Sequence, residues 1–118
     1  MIHHVQLAAP PNSESESRAF WVGVLGFTEV EKPEALADRG GCWFRLDGIE
    51  VHVGVDDDFH AARKAHPGFL VRDLDQLAQR LKDARGQVTW DADFPGMRRF
   101  YSQDPFGNRL EFLEASSP

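Results

Sequence analysis

Apolar and polar positions alternate over residues 2–8, with Val5 and Leu7 on one side and His4 and Gln6 on the other, so the chain opens as a strand. Pro10-Pro11-Asn12 breaks it. Ser13 is placed to cap a helix with Glu14 and Glu16 in its first turn, where carboxylates suit the positive end of the helix dipole. Ala19, Phe20, Val22, Val24 and Leu25 supply its apolar contacts, and Gly26 follows as a left-handed stop. A strand over residues 27–31, a loop over 33–41 and two strands over 42–46 and 49–55 complete the half, the last two joined by the hairpin signal Asp47-Gly48.

The second half repeats the order. Residues 66–71 read as a strand, and residues 73–84 as a helix with Asp73 as cap, Leu74, Leu77, Ala78 and Leu81 at helical spacing, and a stop near Gly86. Strands over 87–90, 98–102 and 109–114 follow, the last two joined by the turn Asp104-Pro105-Phe106-Gly107-Asn108. His4 to Gly26 is 22 residues and His66 to Gly86 is 20, so the two halves read as a duplicated module. The predicted fold class is α+β: two tandem βαβββ modules, about residues 1–58 and 64–116, in one domain spanning 1–118.

Each module has one sheet face for its helix and one for something else. Val5, Leu7, Phe69, Val71, Leu110 and Phe112 fall on the helix side by alternation, and His4, Gln6, His66, Gly68, Leu70, Arg109 and Glu111 fall on the other. Two imidazoles and a carboxylate on one kind of face form a ligand set suited to Mn, Fe, Co, Ni or Zn, with positions open for water or substrate. The plain alternative is a solvated histidine near the N-terminus and an exposed glutamate on a terminal strand.

Composition narrows the partners. A net charge of -6 and a pI near 5.2 leave no basic stripe for a phosphate backbone, so nucleic acid is not an expected partner. No apolar run approaches the roughly 20 residues of a membrane span, and the expectation is a soluble, cytoplasmic protein. Cys42 is the single cysteine, which excludes an intrachain disulfide and a thiolate-rich zinc cluster.

Glu50 and His52 share a strand face, and either can add a fourth ligand or a general base. Trp43 and Arg45 share another and can line a pocket with His52 and Tyr101. His3 and His60 read as surface residues, His3 because alternation turns it away from His4. The run Asp56-Asp57-Asp58 lacks the glycine and glutamate offsets of an EF-hand and reads as a solvated loop.

Three stretches carry a family resemblance: Ile2-His3-His4-Val5-Gln6-Leu7, Ala19-Phe20-Trp21 with Val24-Leu25-Gly26-Phe27, and the run from Tyr101 through Asp104-Pro105-Phe106-Gly107-Asn108 to Glu111. The chain resembles the vicinal oxygen chelate superfamily of glyoxalase I, fosfomycin-resistance proteins, extradiol dioxygenases and bleomycin-resistance proteins. The resemblance implies His4, His66 and Glu111 as metal ligands, with Glu50 the nearest candidate for a further glutamate ligand and His52 its rival. It also implies a homodimer, a divalent metal cofactor and a small oxygenated substrate, with Glu50 or Glu111 assisting proton transfer. The implied reaction is open among isomerase or lyase, dioxygenase and group transfer. A metal-free sequestering protein of the bleomycin-resistance type, with a groove of Trp43, Trp90 and Tyr101, is the alternative. Departures are Phe20-Trp21, where the family has a Phe-Tyr pair, and the Pro10-Pro11-Asn12-Ser13 loop. No glutathione-binding set is evident, although Arg39, Arg63, Lys64, Arg98 and Arg99 are available to an anionic ligand.

Overall fold

In the computed structural model, which describes residues 1–116, the chain divides into two compact units, Met1–Ala61 and a second from Ala62 onward. Each unit has the βαβββ order.

The first unit holds β1 (His4–Ala9), a helix α1 (Glu14–Arg18) continuing as a π-helical segment (Ala19–Val24), β2 (Thr28–Val30), a 3₁₀ turn (Glu34–Arg39), β3 (Cys42–Leu46) and β4 (Ile49–Val55). Its sheet order is β1-β4-β3-β2, with β1 parallel to β4 and the other pairs antiparallel. The β3–β4 hairpin has the predicted bounds because Asp47 and Gly48 both take positive φ, 49° and 82°, as a two-residue hairpin turn requires.

The first helix departs from expectation in two ways. Ser13 occupies the cap position, yet its hydroxyl turns back to donate to the Pro10 carbonyl at 2.6 Å and does not cap. Glu14 reaches across to accept from the Gly41 amide at 3.0 Å. The ladder then widens, with the Leu25 amide donating to the Phe20 carbonyl, five residues back. The buried face is therefore Ser17, Trp21 and Leu25, while Ala19 and Val22 are exposed. Trp21 sits edge-on to Phe27 and stacks near Phe44, and with Leu7, Val51 and Val53 these form the core of the unit.

The second unit holds β5 (Gly68–Leu70), α2 (Leu74–Asp83), β6 (Thr89–Asp91), β7 (Met97–Gln103) and β8 (Arg109–Ala115), in sheet order β5-β8-β7-β6. Asp73 caps α2 as expected, accepting from the Gln76 amide at 3.0 Å, and Glu114 on β8 accepts from the Leu74 amide at 3.1 Å. Leu74, Leu77, Ala78 and Leu81 are buried on one face of α2, and the sheet face behind them carries Phe69, Phe100, Leu110 and Phe112. Strand β5 is shorter than the pattern suggested. His66 lies before it, outside the ladder.

The turn before β8 is built on one buried carboxylate. Asp104 Oδ1 accepts from the amides of Phe106 and Asn108, and Oδ2 from the Asn108 side chain at 2.7 Å. Asn108 in turn accepts from the Ala62 amide. Gly107 closes the turn at φ 91°. This closure fixes the register in which Glu111 stands opposite Gly68 and Tyr101.

Candidate functional site

The face of the first sheet away from its helix carries a cluster in cross-strand register. His4 stands opposite Glu50, Gln6 and Trp43 both stand opposite His52, and Arg45 stands opposite Glu50. His52 is sandwiched between His4, at 4.0 Å between ring centroids, and Trp43, at 3.8 Å. Its Nε2 meets Glu50 Oε1 at 2.8 Å, and the Arg45 guanidinium donates to Glu50 Oε2 at 2.7 Å. Glu50 and His52 are both buried.

Electrostatics follow from these contacts. The His52 hydrogen bond first, then that from Arg45, hold the Glu50 carboxyl down at about 2. Burial pushes the His52 imidazole below its ordinary value against the pull of Glu50. A neutral His52 therefore donates from Nε2 to an ionised Glu50. His3, expected to turn away, brings its Nδ1 within 3.0 Å of His4 Nδ1, because its residue precedes the strand and is not bound by alternation.

A depressed carboxyl has a sign in acid. Glu50 favours the folded state at pH above its unfolded value near 4.5, and that contribution is lost as pH falls toward about 2. In metal-free protein, Glu50→Gln should flatten this acid limb. Urea midpoints measured from about pH 6 to about pH 2 check it, and an unchanged acid slope would count against the assigned pairing.

The second unit carries a matching cluster. His66 Nε2 meets Glu111 Oε1 at 2.9 Å, and Arg99 donates to Glu111 Oε2 at 3.2 Å. Glu111 is buried, not exposed. Arg99 also pairs with Asp91, and the guanidinium groups of Arg109, at 4.0 Å, and Arg99, at 5.1 Å, both lie over the Tyr101 ring. Trp90 is on the other face, opposite Phe100, so it does not belong with Tyr101 in a groove. Residue parity on β6 and β7 accounts for this. The same parity on β7 puts Arg99 on the face of Tyr101, while its pairing with Glu111 depends on the β7–β8 register.

The two clusters are register equivalents. Glu50 faces His4 on the first strand of its sheet, and Glu111 faces Gly68 on the first strand of its own. In each, a histidine holds Oε1 and an arginine holds Oε2. The histidines differ in one respect. His66 Nδ1 donates to the Lys64 carbonyl at 2.7 Å, so a neutral ring has only its lone pair at Nε2, aimed at a carboxylate oxygen. Two acceptors face each other there, and a proton or a metal cation satisfies both. That donor chemistry fits a divalent metal. His4 belongs to the first unit and His66 and Glu111 to the second. Within neither unit, among the described residues, are three or more His, Cys, Asp or Glu side chains gathered as a metal set. No helix among the described residues is long and apolar enough to cross a membrane.

Comparison with known proteins places this geometry. Among curated proteins no sequence matches the chain. A solved protein of Bacillus anthracis assigned to the glyoxalase family is 46% identical, over 98% of this chain and 95% of that one, with a TM-score of 0.95. A genomically encoded fosfomycin resistance protein from Listeria monocytogenes shares the fold at 15% identity, covering 98% and 93% of the two chains, with a TM-score of 0.78. Lactoylglutathione lyase from Agrobacterium tumefaciens does so at 20% identity, covering 97% and 92%, with a TM-score of 0.74. The sequence profile of the Glyoxalase/Bleomycin resistance protein/Dioxygenase superfamily matches residues 2–112, and with its two βαβββ units the chain belongs to that superfamily.

Proposed function

We propose that the protein is a metal-dependent, glyoxalase-like enzyme that acts on a small oxygenated molecule. His4, His66 and Glu111 hold the metal, drawn from Mn, Fe, Co, Ni and Zn, and Glu50 is the fourth ligand. The observation that carries this reading is the His66 Nε2 lone pair facing Glu111 Oε1 while Nδ1 is committed to a backbone carbonyl. Glu50 is preferred to His52 as ligand because it is the register equivalent of Glu111 and is kept ionised, whereas the His52 Nε2 proton is spent on it. His52 then orients Glu50, as outer-shell donors orient ligating carboxylates.

When bound, such an ion acts as a Lewis acid toward a carbonyl or hydroxyl oxygen. The chain's own part is to hold the substrate and to carry a proton. Glu50 and Glu111 are the carboxylates available for that transfer, and Trp43, Arg45, His52 and Tyr101 shape the surroundings. Isomerase or lyase, dioxygenase and group-transfer chemistry all use this equipment, and assembly as a cytoplasmic homodimer accompanies the reading. The flat stack of Trp43 on His52 favours a second reading, in which the same face sequesters a planar ligand without metal.

Titration calorimetry with each of the five metals tests the first reading. One ion per chain should bind, and His66→Ala should abolish that binding. Absence of stoichiometric binding would sink the enzyme reading, and ligand binding retained by His66→Ala would then favour sequestration.

A further inference from the structure

A cavity of about 280 Å³ opens within the first unit, between the 3₁₀ turn and the sheet. Gln6, Lys32, Leu36, Arg39, Trp43 and Gly54 line it together with Gly40 and two valines, Val53 and Val55. Its charge is unlike that of the chain. The sequence has 19 acidic and 13 basic residues, yet the lining holds two cations and no carboxylate. Glu14, whose carboxylate lies close to Gly40, is occupied by the Gly41 amide and does not line the space.

The polar groups are available. Among the described residues the side chains of Arg39 and Gln6 make no hydrogen bond, so a guanidinium fork with five donors and a side-chain amide are open to a ligand. Lys32 donates to the Gly40 carbonyl, which pins the rim and leaves its remaining donors free. The Gln6 amide lies across Gly54 on the floor, in space that a Cβ at that position would share. Trp43 is shared between two places: it lines the cavity and stacks on His52.

We propose that this cavity is a subsite for an oxyanion, a carboxylate or a phosphate, held by Arg39 and Lys32 with Gln6 donating from the floor. The volume sits just below the range of about 300–1,000 Å³ for ligand pockets, so it takes a small anion or one end of a larger molecule. Resting on the function proposed above, the substrate is then an anionic oxygenated compound. Its charged end lies against Arg39, and its body runs along Trp43 toward Glu50 and His52. Substrate specificity on this view is set by the 3₁₀ turn, which differs in sequence from anything in the second unit.

The test uses the full chain in EDTA, so that metal binding plays no part. Amide NMR titrations with succinate, inorganic phosphate and the uncharged analogue succinamide follow Gly40, Gly54 and the Gln6 side-chain amide. Saturable shifts at these groups with either anion and none with succinamide are expected. Succinate alone marks a carboxylate subsite, and phosphate alone a phosphate subsite. Arg39→Gln, exposed and without partners, keeps the fold and should weaken binding about five-fold or more. Equal affinity in that variant, or shifts spread over Arg63, Lys64 and Arg98, would overturn the proposal. Neither result bears on whether His66→Ala loses metal, so the two readings fail separately.

Discussion

Replacing Glu111 with glutamine should weaken divalent-metal binding by at least about 100-fold, while His52→Gln should weaken it by only about 10–100-fold. Glutamine keeps the shape and can still meet His66 and Arg99, but it removes the negative charge that a hard or borderline cation needs. His52 touches Glu50 and acts through it, so its loss leaves a carboxylate still fixed by Arg45. Competition against a chromophoric chelator gives both affinities on one scale. A larger loss in His52→Gln than in Glu111→Gln would reverse the assigned roles.

Phe112→Ala should cost about 3–5 kcal/mol, the range for emptying a buried phenylalanine site. Phe112 is 2% exposed and lies 5.6 Å from the Phe69 ring and 5.5 Å from the Phe100 ring, so three aromatic residues lose packing together. Against a typical total stability of about 5–15 kcal/mol the loss is large, and the melting temperature should fall by more than about 10 °C. Urea denaturation measures it. A cost below about 1 kcal/mol would mean that the core behind β8 is not packed as described.

Much of the fold was legible because its signals are local. Asp47-Gly48 fixed a hairpin residue for residue, and Asp73 with Leu74, Leu77, Ala78 and Leu81 specified α2 and its buried face. Alternation also sorted His4 and Glu111 onto the faces away from the helices and put Glu50 and His52 on one face of their strand, whereas His66 lies before its strand. What escaped depends on geometry that composition does not encode. The π-helical widening shifts a hydrogen bond without changing any residue type, and Val22, expected among the apolar contacts of this helix, is exposed. Ser13 looked like a cap but had a nearer acceptor in Pro10. The pairings Arg45 with Glu50 and Arg99 with Glu111 need the strand register, which spacing leaves open.

The placement of His66 ahead of β5 has a consequence for motion. His4, Glu50, His52 and Glu111 stand on strands whose backbones are paired along the ladder. The His66 backbone is outside any ladder; nearby, the adjacent Pro67 carbonyl receives the Glu111 amide, and its ring is steadied by the Lys64 carbonyl and Glu111. Local opening is cheapest where the fewest backbone bonds must break. The imidazole is thus the part of the His66–Glu111 pair that releases first, and exchange at the Ala65 and His66 amides faster than at Glu111 would report that opening.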